Sequence, residues 1–177
     1  MKRIALAAAS LLAFATSGCG GIHTKAYETK KPVLKIQDFF KGHVTGYGLI
    51  QNRAGEVTQR FVVEMHGTLD GDTFVMDEDF VFDDGHTQKR QWKIRLTGDH
   101  TFTGTAADVT GTAHCEQYGS AIHLKYVLQV PVDKKTYDID MDDWLYAVDE
   151  KTVLNRTRMT KLGFRVGAVT ATFLKRD

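Results

Sequence analysis

Glu78 is the residue that most disturbs the pattern of this chain. It lies in TFVMDEDFVFDD, where Phe74, Met76, Phe80 and Phe82 alternate onto one face. Val75, Asp77, Asp79, Val81 and Asp83 take the other. That is the alternation of a half-buried strand, and it places Glu78 among phenylalanines. A carboxyl group carried into an apolar interior needs a partner, or its pKa rises. The stretch KRQWKI brings Arg90 and Trp92 near it on the next strand. Two roles are open for Glu78: a polar anchor inside a ligand cavity, or one half of a buried Glu78–Arg90 pair that fixes strand register.

A second cluster is DDW followed by NRTR. A three-residue loop at residues 149–151 sets Trp144 opposite Arg156 and Asp142 opposite Arg158. Arginine over indole makes a cation–π contact, and a guanidinium takes a fatty acid carboxylate bidentately. The same four residues could equally form a salt-bridge network on the exterior or the rim. Apolar residues change phase between Met141 and Trp144, which predicts a bulge near Asp142-Asp143. Asp108, in AADVTG, is read as a cap on its own turn. His114 and His123 are expected opposite one another, on the solvent side with Glu116 and Lys125.

Other chemistries find little to build on. There is no HExxH, CxxC or EF-hand loop, no nucleophile elbow, and no P-loop lysine in the glycine-bearing stretch 104–111. Ser120 is the only serine after residue 17, and it sits at a turn. Asp142 and Asp143 are adjacent, so on a strand they point to opposite faces and cannot flank one bond. No catalytic residue, metal site or cofactor is expected.

The elements that must position these groups have period two. Residues 61–65 place Phe61, Val63 and Met65 on one face. A turn at Asp70-Gly71 then pairs Met65 with Met76, Val63 with Glu78 and Phe61 with Phe80. A three-residue loop at 84–86 pairs Glu78 with Trp92 and Met76 with Ile94. A loop at 98–100 aligns Leu96 with Phe102, and a turn at Tyr118-Gly119 sets Cys115 opposite Ile122, beside Tyr126. Nine or ten such strands with short turns imply antiparallel neighbours. A sheet of that size closes to remove its edges. The expected fold is all-β, an antiparallel up-and-down barrel of lipocalin type with one helical turn at residues 36–40; a split sandwich is the alternative.

Composition agrees with one domain: 177 residues, 42% hydrophobic, net charge +1. No basic excess points to nucleic acid. The start, with Lys2, Arg3 and an apolar run at 4–15, is a signal peptide by pattern. Ala13-Phe14-Ala15 offers an ordinary cleavage site. Thr16-Ser17-Gly18-Cys19 resembles a bacterial lipobox, with Thr16 where leucine is usual. Cys19 is then a lipidation site, residues 1–18 a signal peptide, 19–35 a lipidated cysteine and tether, and 36–177 the barrel. Gly20, in place of aspartate, implies the outer membrane, facing the periplasm, by similarity to enterobacterial lipoproteins. Cys115 reads as a small buried hydrophobe.

FFKG, DEDFVFDDG, RQW, GTAADVTGTA, DDW and NRTRMTKLG occur in that order from Phe39 to Gly163. The set resembles the bacterial lipoprotein family called domain of unknown function 3833. The resemblance implies a single lipocalin-like barrel, lipid-anchored, with no established activity. Its members are encoded near fatty-acid-modifying methyltransferases and flavin oxidoreductases, which associates them with lipids. The expected function is therefore binding of a small hydrophobic ligand, such as a fatty acid. Phe74, Met76, Glu78, Phe80, Arg90, Trp92, Tyr126, Trp144, Arg156 and Arg158 are the candidate ligand residues. The expected partners are a membrane, through the acyl anchor, and that ligand. An adaptor with a packed barrel, acting through its surface, is the second reading. An enzyme using Glu78 as acid or base is the third.

Overall fold

The computed structural model describes residues 22–176. A 3-10 turn (Thr24–Tyr27) and a short helix α1 (Ile36–Phe39) precede ten strands. These are β1 (Gly42–Asn52), β2 (Val57–Asp70), β3 (Thr73–Phe82), β4 (Thr87–Leu96) and β5 (Thr101–Thr105). They continue with β6 (Val109–Tyr118), β7 (Ala121–Val132), β8 (Lys135–Ala147), β9 (Thr152–Lys161) and β10 (Phe164–Lys175). Each strand pairs antiparallel with the next, and β10 returns to β1, so the sheet closes into an up-and-down barrel. Closure leaves no edge to template aggregation. One face of every strand looks inward, which is why the period-two pattern runs through the chain.

Three hairpins differ from the expected register by two residues. The β2–β3 turn is Gly71-Asp72, not Asp70-Gly71, so Met65 faces Glu78 and Val63 faces Phe80. Gly71 has φ of 56°, a left-handed conformation that glycine adopts without steric cost. The β6–β7 turn is Gly119-Ser120, so Cys115 faces Leu124 and His114 faces Lys125 rather than His123. The β3–β4 loop has the expected three residues but occupies 83–85, so Glu78 faces Arg90 directly and Trp92 faces Met76. A slide of two keeps every side chain on its face, so alternation alone does not choose between such registers. The pairs Leu96–Phe102, Trp144–Arg156 and Asp142–Arg158 are as expected.

The segment read as a tether is a strap. Within residues 22–35, the Leu34 amide donates to the Gly119 carbonyl at 2.7 Å and Thr24 Oγ1 donates to Glu116 at 2.8 Å. Leu34 and Thr24 are buried. The polar composition of the segment hid two buried anchors. The strap leads into α1, whose first amide, of Ile36, donates to the Gln117 side chain at 3.2 Å. At its other end Lys175 Nζ donates to the carbonyls of Phe39 and Lys41, a cation at a helix C-terminus.

Helix α1 shuts one end of the barrel. Phe40 lies over Gly67 of β2, where an added Cβ would stand 2.0 Å from the Phe40 carbonyl oxygen and 2.5 Å from the Phe74 ring. Gly67→Ala is therefore expected to destabilise the protein by about 1–3 kcal/mol through overpacking. A urea midpoint unchanged from the parent would contradict this close approach. The turns 71–72, 97–100, 119–120 and 148–151 lie at this closed end. The turns 53–56, 83–85, 106–108, 133–134 and 162–163 ring the other.

Candidate ligand cavity

The barrel is not filled. A cavity of about 500 Å³ runs from beneath Phe40 and Ile94 toward the second ring of turns, where His86, Asp108 and Val132 line it. Its walls are mainly apolar, with Phe61, Met65, Met76, Phe80, Trp92 and Leu124 among them. Trp92 and Tyr126 meet edge to face, their centroids 5.4 Å apart.

Against this wall stands one polar group of residues. Arg90 of β4 is its centre. Its Nε donates to both carboxylate oxygens of Asp108, at 3.0 and 2.9 Å, and its Nη2 lies 2.8 Å from the same carboxylate. Glu78 of β3 is held less closely, with Arg90 Nη1 3.4 Å from its Oε2. The Arg90 guanidinium also lies 5.4 Å from the Phe80 ring centre. Across the cavity Asp143 of β8 accepts from Thr157 at 2.8 Å, from Asn155, and from the Tyr126 hydroxyl at 3.5 Å.

Burial sets the charge states. Glu78 is 8% exposed, and loss of water raises its pKa to about 7 although Arg90 pulls the other way. Burial also raises Asp143, against the hydrogen bonds from Thr157 and Asn155. Tyr126 is raised well above its ordinary value, by burial first and then by the Asp143 charge. At Arg90 burial acts to neutralise it, but Glu78 and Asp108 outweigh this and hold it cationic. Asp108 grips Arg90 from two nitrogens, while the contact with Glu78 is long. The site thus holds a cation at Arg90, paired with Asp108, and two carboxyl groups, Glu78 and Asp143, whose burial favours the protonated form. Such groups can donate a hydrogen bond to a buried acceptor as well as accept one.

A family model described as a protein of unknown function (DUF3833) matches residues 13–175. The chain belongs to the DUF3833 family. No curated protein matches it. Among solved structures it is similar to the S-type phycobiliprotein lyase CPES from Guillardia theta, with a TM-score of 0.59 at 10% identity. That alignment covers 89% of this chain and 99% of the lyase. A redesigned β-barrel aligns at a TM-score of 0.41 and 11% identity, over 78% of this chain and 93% of its own. At such identities the likeness to the lyase is one of fold, a lipocalin-like barrel.

Six of the DUF3833 residues singled out from sequence line the cavity: Met76, Glu78, Phe80, Arg90, Trp92 and Tyr126. Phe74 is buried beside Gly67, outside the lining. Trp144, Arg156 and Arg158 are a correction, because they lie on the outer face of the barrel. No bulge interrupts β8 between Met141 and Leu145. Its inner face runs Ile139, Met141, Asp143 and Leu145, and Trp144 points outward. There Trp144 stacks on His123 at 4.0 Å and meets Tyr27 of the strap at 6.2 Å. Asp142 binds His123 at 2.7 Å and Arg158 at 2.6 Å. The apparent change of phase comes from the strap, which covers an outer face and so makes it apolar. Cys19 lies outside the described residues. Among the described residues no group of ligands could hold a metal ion.

Asp108, Asp143, Asn155 and Thr157 also line the cavity, a role the sequence reading does not give them. For three of them the signal existed. Val153, Asn155 and Thr157 alternate inward on β9, and Asp143 takes the face opposite Asp142. Asp108 sits on a turn, where no period assigns a direction. It grips Arg90 instead of capping its own turn.

Proposed function

We propose that this DUF3833 member is a binding barrel of the bacterial cell envelope. It takes a small hydrophobic ligand, a fatty acid or related lipid, and is held at a membrane by acyl chains on Cys19. The outer membrane, facing the periplasm, is its proposed place. The observation that carries the binding reading is the cavity. Its volume of about 500 Å³ falls within the roughly 300–1,000 Å³ of small-molecule sites, and apolar walls with few convergent polar groups are their usual lining. The lipocalin-like fold it shares with a lyase that handles phycobiliproteins supports a ligand-holding role. An adaptor needs no such space. In this reading the acyl chain lies along Phe61, Met65 and Met76, and the polar end meets Glu78, Arg90 and Tyr126. A carboxylate would bind best while Glu78 carries its proton, so affinity falls as pH rises through about 7.

The test uses the two tryptophans. Trp144 is on the outer face, so Trp144→Phe leaves Trp92 as the sole reporter inside the cavity. Titration with long-chain fatty acids is expected to shift Trp92 emission saturably, at one ligand per chain, and more tightly at pH 6 than at pH 8. An emission spectrum unmoved by any chain length, from a folded protein, would refute fatty acid binding.

A further inference from the structure

The β9–β10 turn departs from the other two-residue turns. They begin with Gly71, Gly119 and Asp133, each at positive φ. This one begins with Leu162, at φ of 50°, a region that glycine and asparagine visit readily and bulky side chains avoid. Leu162 is 85% exposed and Phe164 is 72% exposed, the two most exposed large apolar side chains among the described residues. Neither adds to the barrel core, so folding does not account for them.

Their surroundings are basic. Lys161 precedes the turn and Arg165 follows Phe164. Lys161 Nζ lies 4.2 Å from the centre of the Tyr137 ring on β8, which sets the β7–β8 turn alongside. That turn adds exposed Lys134 and Lys135. Residues 132–136 and 161–166 together hold four basic side chains and one acid, Asp133. The chain as a whole is close to neutral, so this is a local concentration of charge.

We propose that this tip docks the barrel on an anionic lipid surface. Leu162 and Phe164 enter the acyl layer, and Lys161, Arg165, Lys134 and Lys135 meet the phosphates. An exposed apolar pair alone would suit any greasy surface; the four cations around it select an anionic one. The tip stands beside the cavity mouth, which Val132 and Met159 line. It lies at the end opposite the strap, so it does not compete with an anchor attached there. Docking stands on the tip itself and holds whether or not the cavity takes a fatty acid.

Residues 22–177 contain the whole barrel and its strap and lack Cys19, so no acyl chain contributes in the test. This chain is sedimented with vesicles of phosphatidylglycerol and phosphatidylethanolamine, and separately with phosphatidylcholine. Binding is expected to the anionic vesicles and to weaken with salt. The double variant Leu162→Asn, Phe164→Thr is expected to bind at least about tenfold more weakly. Its melting temperature should be equal or higher, since asparagine tolerates the left-handed turn. Lys161→Glu with Arg165→Glu should abolish the preference for anionic lipid. Parent protein that ignores anionic vesicles, or a folded double variant that binds as the parent does, overturns the proposal. The first of those results, with the tip instead holding another protein, makes it a protein contact.

Discussion

Arg90→Met is expected to destabilise the barrel by about 3–5 kcal/mol, the usual consequence of removing one member of a buried ionic group. Among the described residues Arg90 is the only cation contacting Glu78 and Asp108, and its side chain is 14% exposed. Without it the Asp108 carboxyl is left with the Gln88 amide, 3.3 Å away, as its side-chain partner. The loss should be largest above pH 7, where Glu78 is ionised in the parent and is stabilised by Arg90. Adding Asp108→Asn and Glu78→Gln to Arg90→Met removes the orphaned charges, and most of the stability should return. Urea unfolding of the single and triple variants measures both steps. A single-variant loss below about 1 kcal/mol, the scale of a surface pair, would show that these groups are not buried as described.

Glu78→Gln should change how stability depends on pH. The folded pKa of Glu78, about 7, lies above the ordinary glutamate value of 4.5. Between those values the folded chain holds a proton that the unfolded chain has released, so stability falls as pH rises through this window. At about 1.4 kcal/mol per unit, the full loss is about 3 kcal/mol. Glutamine resembles the protonated form and has no charge to acquire. The variant should match the parent near pH 4 and exceed it by about 2–3 kcal/mol at pH 8. Burial shifts Asp143 the same way, so part of the slope remains. A variant less stable than the parent at pH 8 would mean that the ionised Glu78–Arg90 pair stabilises the fold.

These two results bear on how much could be read from the chain alone. The closed barrel was legible because one-faced alternation with short turns has few other solutions. Glu78 stood out because a carboxylate broke an apolar run, and Arg90 because it lay within one register step. The exact pairings were less legible at Gly71 and Gly119, where a slide of two leaves every face unchanged. For Trp144, Arg156 and Arg158 the sequence leaves a cavity site and an exterior network both open, because outer and inner apolar residues look alike in sequence. Only the strap, with Tyr27 against Trp144, tells them apart. Leu34 and Thr24 were invisible as anchors within a polar segment. The cavity itself is a matter of how side chains fill a barrel, and phenylalanines and methionines can either fill one or line it.

Native mass spectrometry of residues 22–177, which lack Cys19, exported to the periplasm of a bacterial host and purified without detergent, tests the central claim most directly. The account predicts a folded protein carrying one lipid-like molecule per chain. That added mass should be lost when Phe80→Trp narrows the cavity. A folded parent protein with no added mass in any preparation, and none after incubation with fatty acids, would contradict it.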